Sequence, residues 1–275
     1  MVRPGARKRA VHWVVRKFGV SELRVCRLFG LRRSTKRYVS QRTEPPELRP
    51  ALREAACAHP RYGYRRVHWL LERQGFAIGQ RRVRRIYRAE GLAARRRKRK
   101  RFKRIVREPA TLPGRPNERW SMDFVHDQFE SGRCYRVFAA VDDFTRESVA
   151  MEAASSLPAA KVTEVLDRAI ARRGQPRRIV CDNGSEFTSL WFMQWAARHG
   201  IDVQFIQPGK PTQNAFAESF DGRFRDECLN THWFRTLPQA RHIIADWQRH
   251  YNAERPHGAL GKQTPEEFRL TYLAE

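Results

Sequence analysis

Three carboxylates, Asp123, Asp182 and Glu218, occupy positions from which they could act together. Asp123 lies inside the alternating run "RWSMDFVHDQFE", and Asp182 ends the apolar stretch "RRIVCD" just ahead of the breaker pair Asn183-Gly184. Glu218 belongs to "TQNAFAESFDGRFRDECLN". There Phe216, Phe220 and Phe224 share one helical arc with Ala217 nearby, and Glu218 falls on the opposite, polar side with Asn214 and Arg225. An acid on a polar helix face is ordinarily just solvated, and Asp-Asn-Gly after a strand is ordinarily a turn. Strand ends are also where α/β sheets place their ligands. Three converging carboxylates would repel one another and raise each other's pKa unless cations were present. Hard, oxygen-liganded Mg²⁺ or Mn²⁺ suits them. Two such ions roughly 4 Å apart can activate an attacking hydroxyl and stabilise the leaving oxygen of an in-line phosphoryl transfer. A protein nucleophile is then unnecessary. Ser121, His126 and Asp127 could be written as a Ser/His/Asp set, but no G-x-S-x-G elbow supports it.

Elements that could position these acids follow from the period of the apolar residues. After the first strand, Ser131-Gly132 turns the chain into "CYRVFAAVDDF", and Asp143 to Arg146 turn it again into "RESVAMEA", a three-strand meander. "AAKVTEVLDRAIARRG" is an amphipathic helix closed by Gly174. "RRIVCD", a helix through Trp191–His199, the strand "IDVQFIQ" and the Glu218 helix complete the order. A βββ-α-β-α-β-α order predicts an α/β fold, a mixed sheet with helices packed on it. The core is placed at 117–230 and a helical extension at 231–275. Asp142 and Asp143 are expected to make a turn, and Glu186 stands too near Asp182 in sequence to be an obvious third partner. Lys210 and Asn214, with Gln213, are expected to touch DNA beside the acids, on a loop made mobile by Gly209 and Pro211. Trp191, Trp195 and Trp247 are expected in the core.

Charge divides the chain in two. Residues 1–108 hold 34 Lys and Arg against 7 Asp and Glu, whereas 109–275 hold 21 against 22, so the whole excess behind the formal +26 lies in the first part. That asymmetry points to a polyanion held by one region while the other does something else. Residues 1–43 read as a basic helical segment, with Val11, Val14, Val15 and Phe18 at helical spacing and Leu23, Cys26, Leu28 and Leu31 lining a small core. Glu44-Pro45-Pro46 breaks it. Residues 44–93 read as a helix-turn-helix-like segment. Val67, Leu70 and Leu71 form one stripe closed by Gly75; Val83, Ile86 and Tyr87 form a second, stopped by Gly91. Arg65, Arg66, Arg81, Arg82, Arg84 and Arg85 are its candidate DNA contacts; a hairpin merely resting on nucleic acid remains the alternative. Residues 94–116 form a basic linker whose Arg96, Arg97, Lys98, Arg99 and Lys100 suit phosphate tracking. Five scattered cysteines, never spaced C-x-x-C, argue for a reducing cytoplasm and against disulfides or zinc. No apolar run is long enough for a membrane span.

Thirty-five residues separate Asp182 from Glu218, and Asp123, "CDNGSEF" and "PTQNAFAESF" together resemble the D, D(35)E core of the retroviral-integrase superfamily. With "HPRYGYRRVHWLL" and "YNAERPHGALGKQTPEEF", nearly the whole chain resembles the OrfB transposase of the insertion-sequence-three family. The resemblance implies a ribonuclease-H-like fold, with Asp123, Asp182 and Glu218 as metal ligands. It also implies DNA cleavage and joining, in which water frees a 3′-hydroxyl at an element end and that hydroxyl attacks another phosphodiester. Expected partners are double-stranded DNA, an OrfA protein or OrfA fusion, and further copies of the chain on DNA. Retroviral integrases carry an N-terminal His/Cys zinc module; His12, Cys26, Cys57, His59 and His68 lack its spacing, so no zinc is expected. Two rival readings are a DNA-binding regulator with an inactive core and a metal-dependent nuclease that does not join DNA.

Overall fold

The computed structural model describes residues 4–39, 45–93, 113–207 and 211–274. The chain divides into two compact units, Met1–Leu48 and Arg49–Glu275.

The first unit holds α1 (Pro4–Phe18), α2 (Glu22–Leu28) and α3 (Arg33–Arg37). Its core is Val11, Val25, Cys26 and Leu31. The sequence expectation is corrected here: Leu23 and Leu28 are exposed, because the rotation of α2 turns Val25 and Cys26 inward instead. Glu22 fastens α2 to α3 through Lys36 and Arg37, each at 3.0 Å.

In the second unit, α4 (Leu48–Ala58), α5 (Tyr64–Arg73) and α6 (Gln80–Ala89) come first. Helix α4 was not expected from the sequence; it buries Leu52, Ala55 and Ala56. Helices α5 and α6 bury the two expected stripes, Val67 with Leu71 and Val83 with Ile86 and Tyr87. Gly75 and Gly91, both at positive φ, end them. The Tyr87 hydroxyl donates to the Tyr62 carbonyl, and Arg49 and Arg53 of α4 both reach Glu90 after α6.

The sheet follows. Strands β1 (Arg119–Gln128), β2 (Cys134–Asp142) and β3 (Ser148–Ala154) form the expected antiparallel meander. Helix α7 (Ala159–Arg173) leads to β4 (Arg178–Cys181). Helices α8 (Ser185–Thr188) and α9 (Leu190–Arg198) then lead to β5 (Asp202–Phe205). Strands β4 and β5 run parallel to β1, in the order β3-β2-β1-β4-β5. This mixed five-stranded sheet with helices on both faces is the ribonuclease-H-like architecture expected. Helix α10 (Ala215–Glu227), α11 (Leu237–Ala253) and α12 (Pro265–Ala274) close the chain.

Strand pleating sorts the two layers. Even positions of β1 (Trp120, Met122 and Phe124) pack with Ile179 and Cys181 against α7, α8 and α9. Odd positions of the meander (Val125, Tyr135, Val137, Ala139 and Val141) pack against Phe220 and Phe224 of α10 and against Ile244, Trp247 and Tyr251 of α11. Trp195 and Trp247 are core residues as expected, but Trp191 is 53% exposed while its indole N–H donates to Thr163 Oγ1.

Candidate active site

Because residue pairs across a parallel ladder share a face, register decides whether two acids can meet. Ser121 of β1 is paired with Val180 of β4. Two residues on come Asp123, within β1, and Asp182, just past the end of β4; continued alternation carries both to the face that α10 covers, and the Asp182 charge acts on Asp123. Backbone N–H groups hold both: Phe124 N donates to Asp123 Oδ1 at 2.7 Å, and Gly184 N donates to Asp182 Oδ1 at 3.1 Å. A Cβ at position 184 would stand 3.0 Å from that Asp182 oxygen, which explains the glycine better than a turn does. Asn183 uses its side-chain amide to donate to the Ile206 carbonyl, tying the end of β4 to the end of β5.

The same pleating disposes of the Ser/His/Asp alternative. His126 lies on the other face of β1 from Ser121 and Asp127, and Ser121 Oγ donates to Asp143.

Helix α10 brings two acids to this edge, not one. Glu218 is exposed, as its polar helix face predicts. Asp221, one turn later on that face, is only 9% exposed and has its carboxyl against that of Asp123. Burial first, then the Asp123 charge, pushes Asp221 up to about 8. Asp123 is also raised, chiefly by burial, with the Asp182 charge adding to it. Asp221 Oδ1 accepts no hydrogen bond among the described residues. The four acids form a chain of neighbours, Asp182, Asp123, Asp221 and Glu218, not yet a cage. Among the described residues no three His, Cys, Asp or Glu side chains stand close enough to chelate one ion.

Several expected contacts are placed differently. Asn214 is buried at 3% exposure, and its amide donates to the Met122 carbonyl at 3.0 Å, so it steadies β1 and cannot face DNA. Gln213 accepts from Gln207 N. Lys210, the loop expectation at Gly209, and Arg96, Arg97, Lys98, Arg99 and Lys100 lie outside the described residues. Arg66 is half-buried in an ion pair with Glu227, whereas Arg65, Arg81, Arg84 and Arg85 are exposed and Arg82 half-buried. Asp142 makes the turn after β2 by accepting from Phe144 N, Thr145 N and Asn117 N. Glu186 is taken up by Arg136, whose guanidinium lies 4.1 Å over the Phe124 ring.

Glu227, the last residue of α10, was not anticipated. Arg255, 1% exposed, grips it through two hydrogen bonds of 2.7 and 2.8 Å, and Arg66 of α5 adds a third of 2.7 Å. Burial would push the Glu227 carboxyl up, but these partners outweigh it and hold the group below its ordinary value.

Two integrase core domain families match, over residues 113–211 and 199–265, and an HTH-like domain family matches residues 46–100. The chain is 46% identical to the insertion element IS407 protein of Burkholderia multivorans, over 94% of each chain. It is 43% identical to the insertion element IS476 protein of Xanthomonas euvesicatoria, over 99% of this chain and 79% of that one. The chain belongs to the insertion-sequence transposases. Its 27% identity with the putative transposase InsK for insertion sequence IS150 of Escherichia coli K12 covers 78% of this chain and 79% of that one. By structure, this transposase is similar to a chain of the simian T-cell lymphotropic virus intasome in complex with PP2A regulatory subunit B56 gamma. The TM-score is 0.53 at 16% identity, over 80% of this chain and 74% of the other, a likeness of fold.

Membership places the transposase in the DDE class of polynucleotidyl transferases. It also gives the tail "YNAERPHGALGKQTPEEF" a physical reading, because its polar residues are structural. Asn252 clasps Ser148 by accepting from its N–H and donating to its carbonyl, each at 2.9 Å. Thr264 and Glu267 exchange hydrogen bonds as a capping box that starts α12. Arg255 holds Glu227. The tail thereby anchors β3 and the end of α10. Among the described residues no helix is long and apolar enough to cross a membrane.

Proposed function

We propose that this transposase cuts and rejoins double-stranded DNA at the ends of its element by in-line phosphoryl transfer. Asp123, Asp182 and Glu218 are the acids of the reacting centre, with Mg²⁺ or Mn²⁺, two ions, as cofactor. The observation that supports the reading is the β1–β4 register, whose last pair Ser121–Val180 lies two residues before Asp123 and Asp182 on the face beneath α10. The donor set fits a hard divalent cation: three carboxylates with no thiol among them, one of which, Asp123, is raised chiefly by burial with the Asp182 charge beside it. Such a cation supplies positive charge against the phosphate being transferred. The chain's own residues do the rest. Phe124 N and Gly184 N fix the two strand acids in place, and Glu218, exposed on α10, is free to change rotamer toward them.

DNA would be held by the exposed arginines Arg81, Arg84 and Arg85, which recur at helical spacing on α6, with Arg65 on α5 and the run Arg96–Lys100 tracking phosphates. An element has two ends, so a homo-oligomer on DNA would bring them together, and an OrfA partner would add end recognition.

Asp182→Asn tests the reading. End binding should stay within about twofold of the unaltered protein, while Mg²⁺-dependent joining of element-end DNA should fall on the order of 10³-fold or more. Joining at an undiminished rate would overturn the assignment. A gel that separates nicked from joined product distinguishes transposition from simple nuclease action.

A further inference from the structure

Helix α10 carries one carboxylate that the three-acid centre leaves unexplained. Asp221 is 9% exposed, lies against Asp123, and keeps an oxygen that accepts no hydrogen bond among the described residues. Arg225, one turn on, pulls the other way but does not offset burial and the Asp123 charge, whereas other buried carboxylates of this unit are directly paired with counter-groups. Glu227 has Arg255 and Arg66; Asp142 has three backbone N–H groups; Asp143 has Arg119 and Ser121; Glu147 has Arg173 and Arg269. A buried carboxyl oxygen left without a hydrogen-bond partner costs free energy that the fold's own residues do not return. An amide of the same shape at position 221 would donate to Asp123 at every pH and carry no charge to repel it. A carboxylate there is worse than an amide for the empty fold and better only for a cation.

We infer that Asp221 is a fourth carboxylate ligand of the divalent cations held at Asp123, Asp182 and Glu218, supplied from the buried side of α10. The inference rests on the proposed function, since it needs a cation at that centre. Glu218 and Asp221 are one turn apart on one helix face, so one rigid helix presents both to β1, Glu218 from its exposed part and Asp221 from its buried part. Two divalent cations carry four positive charges, and four carboxylates match them before any phosphate arrives. The centre is therefore able to load metal ahead of DNA.

The test is a Mn²⁺ titration of the full chain, read as loss of the free-ion paramagnetic resonance signal, without DNA and with an element-end duplex. Asp221→Asn is compared with the unaltered protein and with Asp127→Asn, a substitution on the same face of β1 whose residue partners Tyr135. Asp221→Asn should weaken Mn²⁺ binding about tenfold or more while Asp127→Asn leaves it unchanged. The melting temperature of metal-free Asp221→Asn should rise, which separates a lost ligand from a damaged fold. Unchanged Mn²⁺ affinity in Asp221→Asn, or a lowered metal-free melting temperature, overturns the inference and leaves the three-acid reading standing. If the unaltered protein binds no Mn²⁺ in either condition, both fall.

Discussion

Glu227 and Asp221 are two buried carboxylates on one helix, six positions apart, and they have opposite electrostatics. Glu227 stays ionised because the chain brings Arg255 and Arg66 to it from two other segments. Asp221 has a second acid for a neighbour and is pushed up to about 8. Burial alone therefore does not separate a structural acid from a functional one. The distinction is whether the counter-charge is encoded in the same chain. The Glu227 end of α10 is complete as folded and serves to hold the helix against α5 and the tail. The Asp221 end is left short of positive charge, and that shortage is what a cofactor site looks like before its cofactor.

The largest effect should come from making Glu227 resemble Asp221. Arg255→Met removes the better-buried partner and strands a carboxylate that is itself only 6% exposed. Breaking a buried ion pair in this way costs about 3–5 kcal/mol. Chemical denaturation should show a loss of that size, and Glu227→Met added to Arg255→Met should recover part of it, because the stranded charge is then gone. A loss below about 1 kcal/mol would mean that the two ends of α10 do not differ in the way described.

A smaller effect, of opposite sign, should come from relieving Asp221. Its folded pKa of about 8 lies above the ordinary carboxylate value of 3.8, so between those limits the folded state binds more protons than the unfolded chain. Stability of the metal-free protein must then fall as pH rises from about 4 to about 8. Asp143, raised by burial to about 6, adds a slope of the same sign that ends earlier. His59 and His257, both lowered chiefly by burial, add the opposite slope below about 6.5. The Asp143, His59 and His257 slopes are common to both proteins, so the difference between unaltered protein and Asp221→Asn reports the coupled pair Asp221 and Asp123. In EDTA, the stability of Asp221→Asn relative to the unaltered protein should grow as pH rises from about 4 to about 8 and level off above that. A pH-independent difference would show that the carboxyl at 221 does not titrate with the fold.

The two ends of α10 were not equally readable from sequence. Asp123, Asp182 and Glu218 could be found because strand alternation and a 35-residue interval are linear features. That they share a face could not, since it depends on the Ser121–Val180 register between strands 59 residues apart. Asp221 sits three residues after Glu218 and reads as one more solvated acid; only the approach of α10 to β1 buries it. Asn214 likewise reads as an exposed loop residue until the chain bends to place its amide at the Met122 carbonyl. Helix α4 escaped notice because Ala55 and Ala56 make a weak stripe, although α5 and α6, with larger residues, were clear. Arg65 and Arg66 are indistinguishable as letters. On α5 they point about 100° apart, one toward solvent and one toward Glu227.

Arg66 gives the smallest and most discriminating test of the contrast. Its side chain is 22% exposed against 1% for Arg255, and it makes one of the three guanidinium bonds to Glu227. Arg66→Met leaves Arg255 with both of its bonds, so Glu227 remains paired and buried. The expected loss is about 1 kcal/mol, the size of a single hydrogen bond rather than of a stranded charge. Because Arg66 is turned away from solvent, the same substitution should leave affinity for element-end DNA nearly unchanged and should not alter its salt dependence. Arg84→Met, exposed on α6, should do the reverse: little change in stability, weaker binding, and a salt slope reduced by about one. Should Arg66→Met instead weaken DNA binding as Arg84→Met does, Arg66 would belong to the DNA face, and Arg255 alone would account for the ionised state of Glu227.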